Sequence, residues 1–218
     1  AAGAVTEDSA PTATGQLTAS DADAGAALSW TGSTAGTWGS FEIDSDGAWS
    51  YTLGPAAQAL AGGETVTESF SATVSDGQGG SATQDVTLTI TGANDGPLID
   101  AAASELTGAV TENDAPAASG QLVASDADGT AVLGWTGSAD GTWGSFEVQP
   151  DGRWSYTLGA AAEALDPGQV VTESFLATVA DDQAATSGIT VEITVTGTND
   201  EPLVTSDASD AAGAVTED

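Results

Sequence analysis

Asn94-Asp95-Gly96-Pro97, then Val110-Thr111-Glu112-Asn113-Asp114-Ala115-Pro116, then Ser125-Asp126-Ala127-Asp128, is the stretch on which the reading of this chain turns. An Asn-Asp closes one strand-rich segment, a proline two residues later stiffens the exit, and paired aspartates open the next segment. Working outward, the same signposts recur at a fixed interval. Gly3-Ala4-Val5-Thr6-Glu7 returns at Gly108 and at Gly213, and the two full copies align without a gap. Trp30, Trp38, Phe41, Trp49 and Tyr51 map onto Trp135, Trp143, Phe146, Trp154 and Tyr156. The interval of about 105 residues is too long for a solenoid unit and suits an independent β-sandwich. The sequence stops a few residues into a third copy, which predicts an excerpt from a tandem array.

Within the first copy, Leu17 and Ala19 alternate with polar neighbours, as do Trp49, Tyr51 and Leu53, then Phe70, Ala72 and Val74, then Val86, Leu88 and Ile90. A period of two marks strands with one buried face. Asp46-Gly47 predicts a hairpin turn and Asp76-Gly77 a strand end. The one helical candidate, residues 55–60, is a turn or two stopped by Gly62-Gly63. The expected fold is all-β, tandem immunoglobulin-like β-sandwiches of about seven strands each. The boundaries fall at residues 1–97, 98–202 and 203–218, the last a linker and the start of a third repeat. The Ala-rich segment 98–106 reads equally as a loose link or an edge strand.

The 218 residues carry 33 acidic side chains and one basic one, Arg153, for a formal charge of −32, with no Cys, His or Met. That balance argues against nucleic acid and against anionic membrane surfaces, both of which are bound through Lys and Arg. It favours divalent cations or simple self-repulsion. No apolar run approaches the roughly 20 residues of a membrane helix, and Ala1-Ala2-Gly3-Ala4 lacks the charged start of a signal peptide. Without His, Cys or Lys, triads and thiol chemistry have no parts, so no enzyme is expected.

Several of these residues resemble known repeats. Val110-Thr111-Glu112-Asn113, Ala115-Pro116 and Asp126-Ala127-Asp128 resemble the opening of a cadherin repeat, and Thr89 through Pro97 resembles its closing strand and Asn-Asp-x-x-Pro linker. Trp38-Gly39-Ser40-Phe41 and Asp46-Gly47-Ala48-Trp49-Ser50-Tyr51-Thr52-Leu53 are similar instead to the VCBS repeat of giant bacterial adhesins of the repeats-in-toxin type. The resemblance implies Ca²⁺ at the junction, held by Glu7, Glu68, the Asn94 carbonyl and Asp95 from one domain and by Asp126, Asp128 and Asp181 from the next. Asp21, Asp23 and Asp76 would serve an upstream neighbour, and Glu112, Glu173, Asn199 and Asp200 a downstream one. Two departures reduce the expected number to one or two ions per junction. Gly92 and Gly197 stand where cadherins place an aspartate, and Val66 and Val171 stand two residues before the second glutamate.

The expected role is that of a monomeric, calcium-stiffened extender of a secreted or bacterial surface adhesin, contacting neighbouring repeats of its own chain and supporting cell adhesion and biofilm formation. The chief alternative is a glycan- or protein-binding module repeated along a surface protein, for which exposed tryptophans would speak. A calcium-independent flexible spacer is a third. Trp30, Trp38 and Trp49 are expected in the core or at its rim.

Overall fold

The structure, a computed structural model, describes residues 1–23 and 25–204. The first domain is built from β1 (Ala2–Thr6), β2 (Thr12–Gln16), β3 (Ser29–Thr31), β4 (Thr34–Ala35), β5 (Gly39–Ile43), β6 (Ala48–Leu53), β7 (Thr65–Ser75) and β8 (Ser81–Thr91). They form two four-stranded sheets, ordered β1-β8-β7-β3 and β2-β6-β5-β4. β1 runs parallel to β8, from Ala2 opposite Thr87 to Thr6 opposite Thr91, whereas the other pairings are antiparallel. A 3₁₀ turn, Pro55–Ala59, with proline at its start, links β6 to β7.

The inward residues are those the alternation picks out. Phe41 of one sheet stacks on Phe70 of the other at 5.2 Å between centroids, flanked by Trp49 and Tyr51. Val86, Leu88 and Ile90 seal the opposite wall, fully buried. Trp30 and Trp49 are buried and Trp38 is half-buried at the rim. The hairpin at Asp46-Gly47 forms as expected, with Gly47 in the left-handed region at φ 90° and the Asp46 carboxylate accepting the Ala48 N–H.

The second domain repeats this plan. β9 (Leu98–Ile99), β10 (Thr107–Thr111), β11 (Ala117–Gln121), β12 (Ala124–Ser125), β13 (Gly134–Thr136), β14 (Ala139–Asp140), β15 (Gly144–Val148), β16 (Arg153–Leu158), β17 (Val170–Ala180) and β18 (Thr186–Thr196) give sheets ordered β10-β18-β17-β13 and β11-β16-β15-β14. A short extra pair joins β9 to β12. Segment 98–106 is therefore an edge element of the second domain: Ile99 and Leu106 pack against its core. Residues 205–218, which hold the start of the third repeat, lie outside the described residues.

Candidate metal centre at the domain junction

The junction is made where β1 and β8 end together. Glu7 follows β1 directly, and its N–H donates to Thr91 O at 3.0 Å, so its side chain is carried to the tip of the sheet. There it is buried, 1 % exposed. One oxygen, Oε2, accepts the Ala93 N–H at 3.1 Å, and Oε1 accepts the Gln58 side-chain amide from the 3₁₀ turn. β8 leads through Asn94-Asp95 into the second domain. The Asp95 N–H donates to Asp128 Oδ2 at 3.3 Å, and the Asn94 amide donates to Asp181 Oδ2 at 3.0 Å. Asp126 and Asp128 sit on one tight bend, the Asp128 N–H donating to Asp126 Oδ1 at 3.0 Å. Two further hydrogen bonds close the seam, Gly129 N–H to Ala59 O at 3.1 Å and the Ser187 hydroxyl to Pro97 O at 2.5 Å.

Three oxygens at this seam are buried with no donor: Asp95 Oδ2, Asp126 Oδ2 and Asp128 Oδ1. Buried carboxylate oxygens are ordinarily satisfied by hydrogen bonds or by a cation. Arg153, the sole basic side chain, makes its ion pair with Asp151 in the β15–β16 hairpin, at 2.8 Å. Burial, foremost, pushes the carboxyls of Glu7, Asp95 and Asp128 above their ordinary range. Their mutual repulsion adds to it, Asp8 and Asp126 pressing on Asp95, and Asp126, Asp95 and Asp181 on Asp128. Asp181 goes the other way, held low by the Asn94 amide and by backbone N–H groups of residues 183–185. Oxygen-only donors, several of them anionic, contributed by two domains and dry on one side, suit Ca²⁺.

The structure thus brings together Glu7, Asn94, Asp95, Asp126, Asp128 and Asp181. It does not bring Glu68 or Glu173 to either end. Glu68 shares the inward parity of Phe70 and sits back from the tip of the sheet, in β7 opposite Leu88. Its carboxylate accepts the Tyr51 hydroxyl at 2.7 Å and the N–H groups of Thr37 and Trp38. Glu173 does the same with Tyr156, Thr142 and Trp143. Each reaches across to the facing sheet, to the turn between β4 and β5 or between β14 and β15 and to a tyrosine of that sheet, and both tyrosine hydroxyls are pushed up in pKa by burial and by the carboxylate. Their role is to hold the two sheets together.

The place left by Glu68 is taken by a residue the sequence did not single out. In the second domain, Glu112, Glu163 and Asp200 bring carboxylate oxygens within 4.8 Å of one another. Glu112 is buried, with Oε1 unpartnered and Oε2 accepting the Thr198 N–H at 2.8 Å. Glu163 projects from the 3₁₀ turn Ala160–Ala164, and its counterpart at the inner junction is Gln58. The two ends therefore differ by one charge at that position. A second exchange runs the opposite way: Asp8 beside Glu7 becomes Asn113, whose amide donates to Asp200 Oδ1 at 3.2 Å. Asn199 Nδ2 donates to Asp200 O. At the upstream end, Asp21 and Asp76 line one groove, while Asp23 lies beside it with its N–H on Asp21 Oδ1.

The glycines where cadherins place an aspartate also find a reason. A Cβ on Gly92 would lie 2.5 Å from Leu60 O and Ala61 O, and one on Gly197 would lie 2.6 Å from Asp166 O and Leu165 Cβ. The backbone of the preceding turn occupies the space a side chain would need.

Known proteins share this architecture. Against solved structures, residues of this chain superpose on mouse cadherin-23 repeats EC22–24 with a TM-score of 0.53 at 18% identity, covering 90% of this chain and 62% of that one. That likeness speaks for the fold, and the chain spans less than two thirds of the mouse fragment. A protein of Rhizobium johnstonii described as calcium-binding lectin RapA2 is 30% identical over 185 residues, covering 75% of this chain and 74% of the relative. The family of bacterial cadherin-like domains matches twice, at residues 1–92 and 94–197. The chain belongs to the bacterial cadherin-like domain family, present here as two domains in tandem.

Proposed function

We propose that this pair of domains is a calcium-stiffened extender of a bacterial surface adhesin, non-enzymatic, with ions held by Glu7, Asn94, Asp95, Asp126, Asp128 and Asp181 at the junction. The observation that carries the reading is the trio of buried, donorless oxygens drawn from both domains, Asp95 Oδ2, Asp126 Oδ2 and Asp128 Oδ1. A cation shared by them would supply the missing partner for each and would fix the angle between domains. Without it, two carboxylates about 4 Å apart repel by about 4 kcal/mol at an effective dielectric near 20. Glu112, Glu163, Asn199 and Asp200 offer the same service to a following domain, and Asp21, Asp23 and Asp76 to a preceding one. The VCBS-like hairpin and the surplus of acid fit a secreted surface protein whose neighbours must not aggregate. Among the described residues no helix is long and apolar enough to cross a membrane.

Small-angle scattering with a melting curve, in millimolar Ca²⁺ and in excess chelator, tests the proposal. Calcium should narrow the particle to one extended shape and raise the melt, and Asp126→Ala with Asp128→Ala should abolish both effects. An unchanged longest dimension and melting temperature would sink it.

A second reading draws on the relative's description as a lectin: calcium-dependent glycan binding at the rim. The half-buried Trp38 and Trp143 are the aromatic faces available for it. Glycan titrations followed by tryptophan emission, with Trp38→Ala and Trp143→Ala as controls, would separate this reading from the extender role.

A further inference from the structure

In the second domain β17 is paired along its whole length on one side and along a quarter of it on the other. It pairs with β18 from Val170 to Ala180, but β13 covers only Thr178, Val179 and Ala180. At Gly137, φ 132°, the chain turns away to the facing sheet, so close over the strand that a Cβ there would lie 2.3 Å from Leu176 O. Leu176 O meets Gly137 and Thr178 O accepts the Thr136 hydroxyl at 3.4 Å, so the even-numbered residues of β17 turn their backbone groups to this side. The N–H and C=O groups of Thr172, Ser174 and Leu176 accordingly have no partner among the described residues.

Across from this edge runs the turn between β14 and β15. Glu173 holds it a side chain's length from the strand, its carboxylate accepting the Thr142 and Trp143 N–H groups. Between them lies a groove of about 670 Å³, with Thr172, Ser174 and Leu176 on one wall and Ala139, Asp140 and Thr142 on the other. Open strand edges are ordinarily blunted by charge, by proline or by a bulge. Here the three edge residues are uncharged, and Leu176 is 61% exposed. An unblunted edge facing a groove is a template for an added strand, and pairing with residues 172–176 takes a segment about 17 Å long.

We propose that the second domain binds an extended, basic segment of another protein, which adds as a strand to β17 beside Ser174. The backbone groups of Thr172, Ser174 and Leu176 supply the ladder. Leu176 takes an aliphatic side chain on the outer face, and the alternate side chains of the added strand enter the groove, where Asp140 takes a Lys or Arg. Charge names the class of occupant. This chain carries 33 acidic side chains against Arg153 alone, and Arg153 is paired with Asp151. A second copy therefore offers Asp140 no unpaired basic side chain and is held off by like charge. The first domain has the same half-open strand, with β3 covering only Thr73, Val74 and Ser75 of β7. There Ala35 stands in place of Asp140, and Ser71, its hydroxyl donated to Asp85, in place of Leu176. Only the second domain pairs the open edge with an aliphatic contact and a carboxylate.

The test follows the backbone amides of the full ¹⁵N-labelled chain by NMR, in excess chelator and again in millimolar Ca²⁺, so that a failure of the calcium reading leaves it intact. The probe is a blocked Val-Lys-Val-Lys-Val-Lys peptide, and its control has glutamate for each lysine. The lysine peptide should shift the Thr172, Ser174 and Leu176 amides and leave those of Thr67, Ser69 and Ser71 in place, and the glutamate peptide should shift neither set. Asp140→Asn should weaken binding by about fivefold, the scale of one exposed ion pair. Ser174→Pro removes an N–H that the β18 ladder does not use and should abolish binding. Where its melting temperature falls, Leu176→Lys, at an exposed position, carries the same test by setting a like charge against the peptide. Edge amides unmoved by millimolar lysine peptide, or equal binding of the glutamate peptide, would overturn the proposal. So would a dimer of the chain alone, seen by sedimentation velocity, that Leu176→Lys dissolves.

Discussion

Replacing Asp128 by asparagine should stabilise the metal-free chain and blunt its response to calcium. The side chain is 4 % exposed, accepts the Asp95 N–H on one oxygen and has nothing on the other. The asparagine would keep the shape, remove one charge, and turn the orphan acceptor into a donor aimed among Asp95, Asp126 and Asp181. In chelator this relieves like-charge repulsion that is worth about 4 kcal/mol per close pair at an effective dielectric of 20. Solvent at the rim of the seam trims the net gain to about 1–2 kcal/mol. With calcium that advantage shrinks. Extracellular calcium sites bind near 10⁻⁴–10⁻³ M, and a ligand at a tenfold excess over its dissociation constant stabilises by about 1.4 kcal/mol. For two domains melting as one unit, that is about 3–6 °C in Tm. Losing one anionic ligand should weaken binding by about tenfold, which removes about 1 kcal/mol of that stabilisation. Calorimetric melts of wild type and Asp128→Asn over a calcium series, with isothermal titration of each, should therefore converge: the variant melts higher in chelator and gains much less than wild type from millimolar Ca²⁺. A variant less stable in both conditions, with its calcium response intact, would show that Asp128 is an ordinary satisfied polar residue and refute the reasoning.

Three further outcomes follow from the same geometry. Gln58→Glu copies the downstream end onto the inner junction: it should lower the melt in chelator by crowding Glu7 and tighten calcium binding by about tenfold, read by titration. Glu68→Gln should cost about 1–3 kcal/mol by weakening charge-assisted bonds to Tyr51 and to the Thr37 and Trp38 N–H groups, with no change in calcium affinity. In chelator, acidification from pH 7 should raise Tm. Glu7, Asp95 and Asp128 have folded pKa values above their unfolded ones, so the folded state gains protons first and stability grows as pH falls through those values. Asp76 and Asp181, held low, act oppositely only below the ordinary aspartate range, where their stabilisation is lost. A Tm that fell steadily on acidification from neutral pH towards the ordinary carboxylate range would contradict this sign.

Much of this was legible in the sequence because repetition and alternation are local signals. Phe70, Ala72 and Val74 mark an inward face wherever the strand goes, and a glycine after Asp46 marks a turn. The same parity places Glu68 among the inward residues of β7, and it was there to be read. What alternation cannot give is height along the strand, so it left open whether that carboxylate sat at the sheet's tip or beneath Tyr51. Glu163 and Gln58 escaped for a related reason. They reach the junction from a 3₁₀ turn after β6 or its counterpart β16, and nothing in Ala160-Ala161-Ala162-Glu163 says which neighbour the turn will face. The linker 98–106 went unassigned between loose link and edge because its commitment to the second domain rests on Glu105 and Ser104 meeting backbone groups of Gln121 and Val123, contacts that no composition encodes.

Under the proposed extender role, the parallel pairing of β1 with β8 has a mechanical consequence. In each domain β1 or its counterpart β10 pairs with the last strand, β8 or β18, and the two strands of each pair point the same way. Tension applied to the ends drags them past each other lengthwise, so the ladder from Ala2–Thr87 to Thr6–Thr91 is loaded in shear, all its bonds at once. In a hairpin pulled from its open end, the bonds would instead break in succession, like a zipper. Each repeat is thus clamped by that parallel pair.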